Sequence, residues 1–485
     1  MITRKILYSL GFLLLVGLAA CNKFDEMNHD PSKSGSTQPE YLFTYGEKNA
    51  MDLIYAGTQN GSIGMLYAQY WTGDQANSSR YALDEGSNNA LWSGLYITVN
   101  NLQESIRLNR LRQADVPAAK NQIACAWVMK AWIYQILADA YGNIPFSETN
   151  NLSKTITPKY DDAATVYKQL TDTLQAQIAL MDETLPGFET GDGIFNGDMA
   201  KWKKLANSLL LRIAMREVDV NADAQKIIET AAPNAMTSNA DNAEFKYLGV
   251  DPNAFPFNNS QREIIQYYVS STLTDYMRNT HDPRLPVYAR PATIPDTING
   301  MRYGWSESDP DRKAAGYYSY PGSKVYSASM PGILMQYAEV EFILAEAAAR
   351  GFATGDAATH YNNGVKSSVS YWADTSAANN FLANVPYTAG DWKNVIGTQK
   401  WLALYPQGLQ GWFERNRLDP KKPNGDSLFL APYNSIEDGS VKFVPYRLSY
   451  PKSEQTLNAA SYQSAVQAMG GTDTQGSKKL WWDKY

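Results

Sequence analysis

In two stretches of this chain, aromatic side chains fall close together among polar ones. The first carries Tyr67, Tyr70, Trp71, Asp74, Asn77, Arg80 and Tyr81; the second carries Tyr303 and Trp305, then Tyr317, Tyr318 and Tyr320. Flat rings offer apolar faces to C–H groups, while carboxylate, amide and guanidinium groups hydrogen-bond hydroxyls. That pairing suits a ligand with apolar faces and hydroxylated edges, such as a soluble glycan. Both stretches lie in irregular segments, 61–89 and 250–327, rich in Gly, Asn, Ser, Pro and Tyr. Rings there belong to no helical stripe, so a binding platform gains weight over rings that merely close loops on a scaffold. The candidate ligand-binding set is Tyr67, Trp71, Asp74, Asn77, Arg80, Tyr81, Tyr303, Trp305, Tyr317, Tyr318 and Tyr320.

Catalytic chemistry has weaker support. A glycosidase needs two carboxyl groups about 5 to 10 Å apart around a cleft. The available clusters, Asp161-Asp162, Asp192 to Asp198 and Asp309-Pro310-Asp311, suit helix caps and turns. No Gly-x-Ser-x-Gly elbow or phosphate-cradling Gly-Lys-Ser/Thr loop occurs. Asp192 to Asp198 hints at a calcium loop, but Lys203 stands where the bidentate Glu would sit, so an EF-hand is rejected. His29, His281 and His360 are scattered singly and Cys125 sits among apolar residues, so no metal and no cofactor are expected.

The N-terminus carries a different chemistry. Arg4 and Lys5 precede an apolar run from Ile6 to Ala20, too short to span a bilayer comfortably, and the run ends Leu18-Ala19-Ala20-Cys21. Small residues before a cysteine form a lipobox-like cleavage site, and the thiol can carry a diacylglyceryl thioether. Cys21 is therefore the expected lipidation site, leaving a mature protein held at a membrane surface by acyl chains.

The rest is globular in composition, with 44% hydrophobic and 19% charged residues. A net charge of −6 gives no broad basic footprint, which excludes nucleic acid as the expected partner. The 32 Tyr and 12 Trp bias the reading towards a ligand surface, although helical cores also place Tyr at their margins.

These residues must be positioned by helices. Residues 90–112 and 161–183 show three- and four-residue apolar spacing, 117–141 is apolar almost all round, as a central helix would be, and Asp198 caps a further stripe through Trp202, Leu205, Leu209 and Ile213. A later pair begins at Pro331, stops at Gly351 and resumes at Asp356, and a last short helix is expected near 458–469. In Ala163-x3-Tyr167 and Ala357-x3-Tyr361, a small residue precedes an aromatic by one turn, as in a tetratricopeptide repeat. The expected fold is mainly α, a degenerate helical-repeat scaffold bearing a loop-rich ligand lobe.

Several short motifs, in order along nearly the whole chain, resemble the SusD/RagB family of surface nutrient-binding lipoproteins. They include the lipobox, Asn28-His29-Asp30-Pro31, Leu91-Trp92-x3-Tyr96, and Asp139-Ala140-Tyr141-Gly142-Asn143-Ile144-Pro145-Phe146. Further on come Tyr337-Ala338-Glu339, Gln399-Lys400-Trp401, Trp412-Phe413-Glu414-Arg415, Arg447-Leu448-x-Tyr450-Pro451 and Trp481-Trp482-Asp483. The resemblance implies four tetratricopeptide-like helix pairs and a non-enzymatic protein at the outer membrane. It also implies a partner, a SusC/RagA-type TonB-dependent transporter, to which an oligosaccharide, or in some members a peptide, is delivered. A surface-anchored glycan hydrolase is the alternative. The expected organisation is a signal peptide at 1–20, a lipidated tether at 21–40 and one domain at 41–485. Within that domain, the scaffold occupies about 41–249 and 328–419, and the irregular segments are 61–89, 250–327 and 420–457.

Overall fold

Helices begin in this chain where a carboxylate can satisfy the first unpaired backbone N–H groups and continue where an apolar stripe can be buried. The computed structural model describes residues 37–484 apart from 74–76, 150–154, 258–266, 423 and 434–435. The expected signal peptide, Cys21 and Asp74 therefore lie outside the described residues. Pro39–Tyr485 form one compact unit, distinct from Met1–Gln38.

The first helices pack each on the next. Helix α1 (Pro39–Ile54) lies on α2 (Glu85–Arg112), whose cap Asp84 accepts from the Ser87 backbone N–H at 2.7 Å. Helix α3 (Ala119–Tyr141) is buried along almost its whole length, as an all-round apolar helix must be. Asp162 caps α4 (Ala163–Leu180) and Asp198 caps α5 (Met199–Arg216), and α5 packs on α6 (Ala224–Ala231). A short helix, α7 (Ser271–Asn279), lies in the second irregular segment. The later group comprises α8 (Tyr337–Ala349), α9 (Ala357–Trp372), α10 (Trp392–Ala403) and α11 (Gly408–Leu418). Helix α8 packs on α9, α10 and α5, and α11 packs on α10 and α3. The fold is mainly α and of tetratricopeptide type. Ala163 and Tyr167 are both buried, and the Tyr167 hydroxyl donates to Asp139 on α3.

A buried ionic seam joins the two helix groups. Arg212 on α5 donates to both carboxylate oxygens of Glu339 on α8, at 2.7 and 2.6 Å. Arg417 holds Glu346 in the same bidentate way and also reaches Glu414, which takes further contacts from Arg216 and Lys400. Removing one member would strand a buried charge, so the seam fixes how α5, α8, α10 and α11 meet.

Two expectations need correction. The late helix starts at Tyr337 rather than Pro331, because the fully buried Gly332–Met335 forms a strand, β6, paired antiparallel with β4 (Ala243–Phe245). A short continuous apolar run cannot be told from a helix turn by periodicity alone. The segment 61–89 is also less irregular than its pattern suggests, since Gly57–Met65 forms a π-helix. Its i→i+5 hydrogen bonds move side chains off the 3.6 period, so no helical stripe registers. The remaining strands are two residues long: β1 (Trp71–Thr72) pairs with β5 (Tyr268–Val269), and β2 (Ile144–Pro145) with β3 (Tyr160–Asp161).

Candidate functional site

Pairing of β1 with β5 sets Trp71 opposite Val269 and so fastens the first irregular stretch to the second. A third segment joins them. Gly304, at φ +74, donates its N–H to Thr72 Oγ1 at 3.2 Å, and a Cβ there would lie 2.5 Å from Pro432 Cα. The turn that carries Trp305 can therefore lie against residues 432–433 only with glycine at this position. Tyr433 donates its backbone N–H to the Tyr303 carbonyl at 3.2 Å, and Glu437 donates its own to the Arg80 carbonyl at 2.8 Å.

The candidate rings divide sharply by exposure. Tyr67, Trp71, Tyr81 and Tyr303 have no exposed surface. Tyr67 packs edge-on against Tyr81 and Trp412, with centroids 5.5 and 5.1 Å apart, and its hydroxyl donates to Gln475. Trp71 stacks on Tyr267 and donates from Nε1 to the Tyr405 hydroxyl at 3.0 Å. Tyr303 donates to the Leu66 carbonyl at 2.8 Å. Burial pushes the phenols of Tyr67 and Tyr303 up, so both stay neutral donors. These four rings present no face to a ligand and instead support the loops.

Outside them lies an open aromatic patch. Trp305 is half-buried between Tyr318 and Tyr433, at 6.1 and 5.9 Å, and its Nε1 has no hydrogen-bond partner. Tyr317 is 41% exposed and Tyr433 37%. Tyr320 is half-buried, stacked on Tyr268 at 5.0 Å, with the Arg290 guanidinium 4.9 Å over its face. Arg302 sits 4.0 Å over Tyr433. Buried Tyr318 fills the centre, with Tyr317 edge-on against it at 5.4 Å. On the Arg80 side, Arg80 donates from Nε to Glu437 at 3.0 Å and from Nη2 to the exposed Asn77.

Sequence reasoning missed Tyr433, Arg302 and Glu437. The first and last lie in the irregular segment 420–457, whose Pro- and Ser-rich composition resembles the two stretches singled out, but only the fold brings it against them.

Asp161, Asp192 and Asp309, three of the carboxylates weighed for catalysis, have structural partners. Asp161 accepts from Phe146 and Ser147, and Asp309 from the Ser306 N–H at 2.6 Å. Asp192 accepts from the backbone of Ile194, Phe195 and Gly197 and from Trp202 Nε1, which occupies the oxygens a calcium ion would need. Among the described residues, no group of three or more His, Cys, Asp or Glu is placed to hold a metal ion, and no described helix is long and apolar enough to cross a membrane.

The profile of a family described as "Starch-binding associating with outer membrane" matches residues 31–451. No curated protein sequence matches. Among solved structures, the chain is similar to a chitin-binding protein at 28% identity, covering 92% of this chain and 100% of that one, with a TM-score of 0.82. It is also similar to a SusD homologue from Bacteroides uniformis at 24% identity, covering 92% and 100%, with a TM-score of 0.78. A chitin-binding SusD homologue from Flavobacterium johnsoniae is 23% identical, covering 91% and 98%, with a TM-score of 0.77. At those identities, the latter two show a shared fold alone.

Proposed function

The chain belongs to the SusD-like family, whose members are outer-membrane-associated binding proteins rather than enzymes, and on that premise we propose that it captures a glycan oligomer at the cell surface and delivers it to a TonB-dependent transporter of the SusC/RagA type. The observation that carries this reading is the open patch of Trp305, Tyr317, Tyr320 and Tyr433, set on a rigid bed of buried rings. Stacking platforms gain affinity when their rings are held before the ligand arrives, because little side-chain entropy is then lost on binding.

Lipidation of Cys21 supplies the anchor in this reading, and the polar residues that follow it form the tether. The name of the 28% identical structure makes chito-oligosaccharide the first ligand to test. Titrated into the chain from residue 22 onward, it is expected to bind saturably without forming product. Release of shorter sugars would instead establish the hydrolase alternative, and saturable binding of peptides alone would overturn the glycan class.

A further inference from the structure

Two rings of the aromatic patch carry an arginine over a face. The Arg302 guanidinium lies 4.0 Å over Tyr433, and that of Arg290 lies 4.9 Å over Tyr320, whose ring also stacks on Tyr268. Backbone contacts set both pairs. Tyr433 donates its N–H to the carbonyl of Tyr303, next to Arg302, and Arg290 donates its own to the Tyr320 carbonyl at 3.0 Å, beside the bridge from Ala289 to Pro321. At these two rings a ligand therefore meets, in part, a guanidinium plane and not bare aromatic surface.

Both arginines are exposed, and among the described residues neither side chain has an ion pair or a hydrogen bond. Other arginines that lie over rings in this fold differ. Arg216, Arg284, Arg350 and Arg447 each hold a carboxylate as well, and Arg415 donates to the Tyr67 carbonyl. Carboxylates do stand in neighbouring loops, exposed at Asp296, Glu307 and Asp311, yet none closes on Arg290 or Arg302. Of the others near the patch, Asp309 accepts from the Ser306 N–H and Glu437 from Arg80.

A guanidinium held flat on a ring is permanently charged, is dehydrated on that face, and keeps its N–H donors around its edge in a fork that fits two oxygens of one carboxylate or sulfate. Neutral hydroxyls would meet those donors singly and leave the charge unanswered. A small inorganic anion would answer the charge and leave Trp305 and Tyr317 uncovered. An acidic sugar does both, with its C–H face on an aromatic ring and its oxyanion on an arginine. Resting on the reading of this patch as a glycan site, we propose that the glycan it selects is anionic, with carboxylate or sulfate groups of its sugars held by Arg290 and Arg302.

Calorimetric titration into the protein compares a galacturonic acid tetramer with its methyl ester, the same sugar without the charge, and with a chitin tetramer. The acid is expected to bind about tenfold tighter than the ester, and Arg290→Gln and Arg302→Gln each to weaken the acid about tenfold, the scale of one charge-assisted hydrogen bond. Should either variant fail to fold, salt decides the matter on the parent protein: raising NaCl from about 50 to about 500 mM is expected to weaken the acid several-fold and to leave the ester unchanged. A sulfated galactose tetramer, set against its unsulfated form, tells sulfate from carboxylate, and preference for either acid supports the proposal. If an uncharged sugar binds as tightly as both acids, selection for charge is overturned while the patch remains a glycan site. If no sugar binds, the glycan reading fails and the proposal with it; tetraglutamate bound in place of every sugar would be that result with an acidic peptide as the ligand.

Discussion

Trp305 keeps part of its ring in solvent between Tyr318 and Tyr433, whereas Trp71 is wholly buried against Tyr267 and Phe257. Alanine at the two positions therefore has different consequences. Trp305→Ala is expected to weaken glycan binding by about 1 kcal/mol, the worth of one stack, with an unchanged melting temperature. Trp71→Ala is expected to cost about 3–5 kcal/mol of stability through a cavity, read by urea denaturation. From the sequence the two were indistinguishable, because both are aromatics in polar loops, and exposure depends on which distant segment covers each ring. Glu47 makes a separate prediction. Its carboxyl is held well above the ordinary 4.5, first by burial and then by Asp192 beside it. A carboxyl whose pKa is raised on folding contributes stability that is whole below pH 4.5 and is lost as pH rises towards the folded value. Glu47→Gln, which keeps the shape and removes the titration, is expected to gain stability relative to the parent between mildly acid and neutral pH. Parallel urea melts would contradict this if the difference between the two proteins did not change with pH.

Among the elements, long helices with caps were the most legible. Asp162, Asp198 and Asp356 each cap a helix, and stripes such as Val166, Leu170 and Leu174 bury as their spacing requires. Strands of two residues leave no period to read, and β6 is apolar on both faces, so these were not legible. The π-helix was hidden for a related reason, yet its position is fixed by contact. Asn60 on it donates to the Pro406 carbonyl at 3.0 Å and accepts from the Gly408 N–H at 3.1 Å. A Cβ on Gly64 would lie 2.7 Å from Leu409 N and 2.8 Å from Gly408 C, so the π-helix and the start of α11 touch backbone to backbone. Gly64→Ala is expected to force them apart and cost about 1–3 kcal/mol, seen as a lower melting temperature. An unchanged melt would mean that this approach is not tight.

At the scale of the whole molecule, distant parts of the chain converge on one support. The C-terminal Trp482 donates to Asp139 on α3 at 2.9 Å and lies 5.3 Å from the Arg216 guanidinium of α5, while Gln475 receives the Tyr67 hydroxyl beneath the first loop. The proposed ligand lobe is thus assembled from segments that only the helical scaffold brings together, which is why the class of fold could be read from the sequence while the membership of the patch could be read only in part. The proposed function requires that the patch around Trp305 bind glycan without cleaving it. Calorimetric titration of chito-oligosaccharide into the parent and Trp305→Ala proteins, with the solution assayed afterwards for shorter sugars, tests this most directly. Saturable binding by the parent, weakened several-fold in an equally stable Trp305→Ala protein with no product formed, is the predicted result; equal affinity in both proteins, or cleavage of the ligand, would contradict it.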